Sequence, residues 1–424
     1  MESRALRYGF VGAGFNAKFH LAALRQIRGI KVGGVMSVAG APAFAKLAAD
    51  WGLGEAAVYE SVGELAKHVD CVAVCAPNYA RLEIVEAIAD AVKAGAALKG
   101  VICEKPLGRN VAEARRLVEL ARSASLRTAY FENQIFMKPI RTQLAQLEPV
   151  RRQMGPLTLA RSAEEHGGPH EGWFWDPTRQ GGGVLCDMGC HSIAVGWYVL
   201  TPTGKPLTFL EPQEITADLG LLKWGQPAWR EKLLKDRGVD YAKTPAEDFA
   251  TGMITFRNPD TGQLVKAQFT NSWMYEKQGL RLLMDGMGPG YAFEVNSLLS
   301  PLTIFIGDVA AEAIKDAELA LEKATASRGL LAVQHNEPDL YGYTDENADA
   351  RDAFLDGRDA LLPWSYGLEV TRLVMAAYLS AEKKRVVDLT DPAIERELGT
   401  YVPLIQQGRG GGQLYGSGGP AGIR

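Results

Sequence analysis

The stretch GGGVLCDMGCHS, residues 181–192, places two cysteines, an aspartate and a histidine within six positions, Cys186 to His191. Two chemistries suit such a group. Thiolate, carboxylate and imidazole are all metal ligands, and an aspartate–histidine pair performs acid–base work with the cysteines as small apolar neighbours. The continuation DMGCHSIAVGWYVL reads as helix. Asp187 and His191, four apart, then share one face, while Cys186 and Cys190 share another rotated by roughly 100°. Four ligands on one helical turn do not converge on one ion, and no C-x-x-C pair offers a second half-site, so no metal is expected. The preceding Gly181, Gly182 and Gly183 let the backbone approach a ligand closely, or form a flexible loop.

Other reactive or ligand-holding residues lie where apolar runs end. In RYGFVGAGFNAKFHLAAL, a strand meets Gly12-Ala13-Gly14-Phe15-Asn16-Ala17 and then a helix, which is G-x-G-x-x-A in the context that binds a dinucleotide pyrophosphate at a helix N-terminus. The next strand, IKVGGVMSV, ends on Ser37 rather than the acidic residue that holds the ribose of NAD. No arginine follows to grip a 2′-phosphate, so NAD is favoured and NADP stays open. Pro77 and Asn78 follow the strand DCVAVCA, and Glu104-Lys105-Pro106 follows GVIC. A desolvated lysine at such a strand end suits proton transfer to or from a hydroxyl, although most lysines are only solvated surface charge. EEHGGPHEGWFWDPTRQ sets His166, His170 and Arg179 among Trp173 and Trp175, the mixture of flat rings and polar groups that binds sugars, or a loop stapled by its tryptophans. His20 and His68 read as surface or helix-packing residues, and His335 as a minor pocket candidate.

These residues need a scaffold. A chain of 424 residues exceeds what one core organises, and alternating β-branched and amphipathic segments at its start call for a parallel sheet covered by helices. FATGMITFRN, QLVKAQFTNSWMY and GLRLLMDGMGPGYAFEV alternate with period two and belong to a second sheet, where Asn271, Trp273 and Tyr275 face one side. The expected division is a dinucleotide-binding domain over 1–145, a substrate and oligomerisation domain over 146–395, and a glycine-rich tail over 396–424. From Gln407 this tail is expected to be disordered or docked on a neighbouring subunit. Residues 203–245 are longer than a minimal sheet connection needs. A net charge of −4 gives no footprint for nucleic acid. No apolar run reaching the roughly 18 residues of a membrane span is expected, and the five cysteines suit free thiols in a reducing, cytoplasmic compartment.

Taken in order, G-x-G-x-x-A, APN, CEKPLGRNVAEA and GGGVLCDMGCH resemble the glucose-fructose oxidoreductase and inositol dehydrogenase family (Gfo/Idh/MocA), and the likeness continues to YGLEVTRLVMAAYLSAEKKRVVDL. The resemblance implies an α/β protein: an N-terminal Rossmann domain, then a C-terminal α/β domain with an open, mainly antiparallel sheet. It also implies a homodimer or homotetramer, and oxidation or reduction of sugars, inositols or related polyols with NAD or NADP. By the same resemblance Lys105, Asp187 and His191 are the catalytic group, Gly12, Gly14, Asn78 and Glu104 match cofactor-side positions, and Asn133 falls where the family's chain crosses toward the second domain. Phe15, Asn16, Ser37, Pro77, Lys105 and Asn133 are expected to bind the cofactor as well, with Ser37 a departure from the family's acidic residue. Substrate contacts are expected from His166, His170, Trp173, Trp175, Arg179, Asp187 and Trp273. Arg81 stands where many members carry a histidine. An alternative activity is that of a glycosidase with tightly held NAD, which oxidises C3 transiently, eliminates the leaving group and returns the hydride.

Overall fold

The computed structural model describes residues 5–276, 279–299, 302–306, 329–333 and 336–416. His335, a pocket candidate above, lies outside the described residues. The chain divides into two compact units, one of residues 1–138 with 338–371 and the other of residues 139–337 with 372–424.

The first unit is built on six short strands: β1 (Leu6–Val11), β2 (Ile30–Met36), β3 (Ala57–Val58), β4 (Cys71–Val74), β5 (Gly100–Glu104) and β6 (Arg127–Phe131). They lie in the order β3-β2-β1-β4-β5-β6, every pair parallel. Strands such as CVAV, buried at all four positions, are apolar throughout because helices cover both faces of a parallel sheet. The order reverses direction between β1 and β4, and ligands bind beyond the carboxyl ends of strands at such a point. The loops carrying Gly12 to Asn16, Ser37, Pro77 and Asn78, Lys105, and Asn133 follow β1, β2, β4, β5 and β6 respectively, so the fold gathers the cofactor-side candidates along one edge.

Residues 338–371 return to this unit, which a division into consecutive domains does not contain. The helix Tyr343–Asp356 seats Ala350, Ala353 and Phe354 in the same core as Tyr8, Ile102 and Phe131. A Cβ on Gly100 would lie 2.5 Å from the Phe354 ring, so glycine makes that contact possible. The Trp364 indole N–H donates to the Ala129 carbonyl at 3.0 Å, tying the returning chain beside β6.

The second unit carries a seven-stranded mixed sheet. Its strands include β7 (Leu159–Glu165), β8 (Glu211–Gly220), β9 (Phe249–Arg257), β10 (Leu264–Ser272), β11 (Arg281–Gly288) and β12 (Tyr291–Asn296). A separate antiparallel pair is formed by β13 (Leu302–Ile306) and β14 (Gly329–Val333). The short β15 (Val387–Asp388) completes the large sheet in the order β12-β11-β7-β10-β9-β8-β15, in which only β7 and β10 pair in parallel. Val265, Ala267, Phe269 and Asn271 alternate inward along β10 against the helix Cys190–Leu200, and Gly196 lets the helix approach Ala267. The helical stretch 177–200 is apolar and long enough to pass for a membrane span, against expectation. Yet 94% of its apolar window is buried inside the protein, as a core helix.

Two other expectations change. The 203–245 connection contains β8 and the helix Pro227–Arg237, so much of it is sheet and packed helix. The tail as far as Gly416 is ordered on its own chain: Ile405 and Tyr415 are buried, and the Tyr415 hydroxyl donates to the Tyr241 carbonyl at 2.9 Å. Two apolar anchors outweigh the entropy of the intervening glycines. Residues 417–424 lie outside the described residues.

Candidate active site

At the end of β1, Gly12 has φ +105° and a Cβ there would lie 2.9 Å from the Cys75 carbonyl oxygen, so the turn requires glycine. At Gly14 a Cβ would meet nothing within 4 Å. This glycine starts the helix Phe15–Leu24, whose first turn has no side-chain cap. Open space before uncapped helix N–H groups suits a pyrophosphate, and these residues therefore fit a dinucleotide. Phe15 and Asn16 open the helix, and the Phe15 ring packs on Phe19 at 5.6 Å. Ser37 follows β2 at a half-exposed position.

Lys105 sits half-buried at the end of β5 in a backbone fixed from two sides. On one side is Arg81, buried at the start of the helix Arg81–Lys93. Its guanidinium donates to the carbonyls of Glu104 at 2.6 Å, Lys105 at 3.0 Å, Ala76 at 3.3 Å and Pro106. On the other side is Glu104, whose Oε2 accepts the Lys105 N–H at 3.1 Å and whose Oε1 lies 2.6 Å from His20 Nε2. Burial works against the Glu104 charge but is outweighed by the His20 hydrogen bond and by the charges of His20, Lys105 and Arg81, so its pKa falls below the usual carboxylate value. Beside this pair, burial and the charges of Glu104 and Glu132 push the Glu346 carboxyl well up. Asn347 Nδ2 lies 2.9 Å from His20 Nδ1, so both ring nitrogens of His20 have buried polar partners.

Glu104 thus holds the Lys105 backbone with both oxygens engaged, which differs from direct contact with a cofactor. Asn133 changes in the same sense, because its side-chain amide donates to the Tyr341 carbonyl at 2.7 Å. Asn78 is buried in a single 3-10 turn after Pro77. His20 is fully buried, and was not legible as more than a packing residue.

In the second unit, residues Leu185–Gly189 form a π-helical turn that runs into the helix Cys190–Leu200. Such turns are rare and frequent at functional sites. Asp187 and His191 lie on either side of this junction, both almost buried. The turn is anchored by Glu247, whose Oε1 accepts N–H groups from Gly183 at 2.9 Å and Leu185 at 3.1 Å and the Tyr378 hydroxyl at 2.6 Å. A Cβ on Gly183 would stand 2.2 Å from the Glu247 carbonyl oxygen, and one on Gly182 would stand 2.0 Å from the Tyr378 hydroxyl. These glycines are a close-packed junction, and the flexible-loop alternative does not hold. Burial raises the Glu247 pKa to about 7 against those hydrogen bonds.

The Asp187 carboxylate accepts the Trp273 indole N–H at 3.3 Å. Trp273 is fully buried, so it orients Asp187 and presents no face for a sugar to stack on, in contrast to the substrate contact expected of it. The thiol of Cys190 donates to the Asp187 carbonyl and that of Cys186 to the Gln180 carbonyl, which makes both cysteines part of the packing. His166 is buried, with Nδ1 accepting the Gly168 N–H at 2.9 Å. Trp175 is buried with its N–H on the Pro169 carbonyl, Trp173 stacks on Phe174, and Arg179 is exposed beside Asp176. Of the expected substrate wall, His170 and Trp175 line a cavity of about 340 Å³.

Residues 6–131 match the family model described as the oxidoreductase family with an NAD-binding Rossmann fold, and residues 151–287 match the C-terminal domain model of the same family. The chain belongs to the Gfo/Idh/MocA family. D-glucoside 3-dehydrogenase of Escherichia coli (strain K12) is 30% identical over 197 residues, 46% of this chain and 50% of that protein. A putative UDP-kanosamine synthase oxidoreductase subunit of Amycolatopsis mediterranei (strain S699) is 29% identical over 45% of this chain and 48% of its own length. The chain thus spans about half the length of the curated relatives it matches. Among solved structures, GenD2 from gentamicin A biosynthesis in complex with NAD superposes with a TM-score of 0.70 at 21% identity, covering 92% of this chain and 97% of that one. A putative myo-inositol dehydrogenase from Sinorhizobium meliloti 1021 gives 0.65 at 19% identity, covering 91% and 100%. These two likenesses establish the fold of this family member.

Proposed function

We propose that this family member is an NAD(P)-dependent dehydrogenase that oxidises, and in reverse reduces, a carbinol carbon of a sugar, glycoside or polyol. The observation that carries the reading is the π-helical turn of the second unit, which carries Asp187, with His191 on the helix that follows, both buried; Glu247 and Tyr378 anchor the start of the turn and Trp273 donates to Asp187. Groups fixed before substrate arrives need no reorganisation during proton transfer. The similarity to D-glucoside 3-dehydrogenase supports a glucoside among the candidate substrates.

In this reading His191 accepts the hydroxyl proton, Asp187 orients the hydroxyl or the imidazole, and Lys105 polarises the oxygen as carbonyl character develops. Gly12, Gly14 and the N-terminus of Phe15–Leu24 hold the cofactor pyrophosphate. NAD or NADP, when bound, supplies the hydride acceptor.

The test mixes the protein with NAD, or NADP, and a panel of sugars, polyols and aryl glycosides, and follows reduced cofactor and released aglycone together. Accumulating reduced cofactor without aglycone is the expected result. Aglycone release without net reduced cofactor would overturn it in favour of a redox glycosidase. Lys105→Ala and His191→Ala are each expected to lower kcat by about 10²-fold or more with cofactor binding retained. Near-normal turnover in either variant removes that residue from the mechanism.

A further inference from the structure

Two sets of side chains hold the backbone at Lys105, and the second reaches far along the chain. Arg81 takes the carbonyls of residues 104–106. The Lys105 N–H goes to Glu104 Oε2 at 3.1 Å, Glu104 Oε1 lies 2.6 Å from His20 Nε2, and His20 Nδ1 lies 2.9 Å from Asn347 Nδ2. This line runs from the end of β5 through the helix Phe15–Leu24 to the returning helix Tyr343–Asp356, all within the first unit.

Its far end is fixed. Asn347 Nδ2 also donates to the Tyr343 carbonyl at 2.8 Å, and the Asn347 carbonyl accepts the Tyr8 hydroxyl at 3.2 Å. Where the returning helix begins, a Cβ on Gly342 would lie 2.1 Å from the Asn133 carbonyl oxygen, and the Asn133 amide donates to the Tyr341 carbonyl. The helix is therefore packed tightly against the turn after β6, the strand beside β5.

Packing alone does not call for a histidine at position 20. The ring lies 4.9 Å from Phe131 and stands edge-on to Tyr343 at 5.0 Å, contacts that a phenylalanine would make without burying two polar nitrogens. Two carboxyls flank the ring, Glu104 at Nε2 and Glu346 at 3.8 Å from Nδ1. Burial, with the charges of Glu104 and Glu132, holds Glu346 toward its neutral form, while the Glu104 carboxyl is drawn below the usual range. The negative charge thus rests on Glu104. An ionised carboxylate only accepts, so His20 Nε2 and the Lys105 N–H both donate to it. Each oxygen of Glu104 then has one direction, and the Lys105 amide takes its direction from them.

We propose that His20 and Asn347 are positioning residues for Lys105, acting through Glu104, so that the returning helix sets where the lysine amine meets the substrate oxygen. The proposal rests on the reading of Lys105 as the group that polarises that oxygen. His20 and Asn347 are fully buried, so they act on the lysine and not on the substrate. A small displacement of a reacting group is enough to slow a reaction.

The test compares three variants of the full-length protein by steady-state kinetics on a substrate found in the cofactor-reduction panel, by calorimetry with NAD, and by amide hydrogen exchange of the peptide covering residues 104–107. His20→Phe keeps the ring contacts and drops both polar ones. His20→Asn carries its amide near the place of Nδ1 and drops Glu104, whereas His20→Gln reaches the place of Nε2 and keeps it. In the Phe and Asn variants kcat is expected to fall about tenfold or more, with KM and NAD affinity held within about twofold. Exchange at residues 104–107 should quicken about tenfold in both. His20→Gln should restore kcat and exchange to within about threefold of the native protein. The Asn and Gln pair decides the matter if His20→Phe fails to fold. Unchanged kcat or unchanged exchange overturns the positioning role, and so does a joint loss of kcat, KM and NAD affinity that Gln does not restore, the mark of a purely structural residue. The two readings fail separately. The expected exchange pattern in a protein that reduces cofactor with no member of the panel removes the dehydrogenase and leaves the hold of His20 on the Lys105 amide, whereas turnover indifferent to His20 removes the positioning alone.

Discussion

Two buried charges hold the proposed reactive residues, and they work by opposite signs. In the first unit the Arg81 guanidinium collects the carbonyl oxygens around Lys105, and in the second the Glu247 carboxylate collects the N–H groups at the start of the turn that bears Asp187. Each charge satisfies backbone groups that the local structure leaves unpaired at a strand end or a helix start. The difference lies in titration. A guanidinium stays charged throughout the physiological range, whereas burial places Glu247 at about 7, so only the second clamp changes charge near neutrality.

The contrast is broken first at Arg81. Arg81→Met strands several buried carbonyls and is expected to cost at least about 3 kcal/mol of stability, equally at about pH 5 and about pH 8. A loss under about 1 kcal/mol in urea unfolding would show that the carbonyls find other partners.

At Glu247 the expected loss depends on pH. The folded-state pKa is raised from 4.5 to about 7, so the unfolded chain releases this proton first. Stability from this group is then fully present below about pH 4.5 and falls as pH rises to about 7, by about 3 kcal/mol in all. Glu247→Gln keeps a neutral side chain, so it should differ little from the native protein near pH 4.5 and gain on it progressively up to about pH 8. A difference that does not vary with pH removes the titrating clamp.

The smallest effect on stability is expected at Gly14, where an added methyl meets open space. Gly14→Ala should shift stability by no more than about 0.5 kcal/mol while weakening NAD binding about tenfold. Gly12→Ala, forced against the Cys75 carbonyl at positive φ, should cost about 1 kcal/mol or more. Thermal melts with and without NAD separate the two. An unaltered NAD affinity in Gly14→Ala would remove that glycine from the pyrophosphate site.

Much of the first unit is legible in the chain because its signals are local. Continuous apolar runs mark β4 and β5, and the strand–glycine–helix pattern at residues 8–24 marks the dinucleotide turn. In the second unit β9, β10 and the β11–β12 pair alternate with period two, whereas β7, in LARSAEE, has too few large apolar residues to announce a central strand. Glu247 sits in TPAEDFA, which as sequence is a polar loop like any other. His20 and Arg81 likewise read as ordinary helix residues until Glu104 and the carbonyls of residues 104–106 are placed against them.

The sequence by itself determined the family, the dinucleotide turn, and which residues of the 181–192 stretch have chemistry to offer. Those facts depend on residue types at short spacing, where backbone geometry alone sets which side chains share a face. Tertiary structure decided the rest. It settled which charges are buried, that Trp273 serves Asp187, that residues 338–371 rejoin the first unit, and that Gly183 closes onto a carboxylate 64 residues away and a tyrosine 195 residues away. Burial and hydrogen-bond partnership at such separations arise only when the chain has folded, and they carry no periodic trace along it.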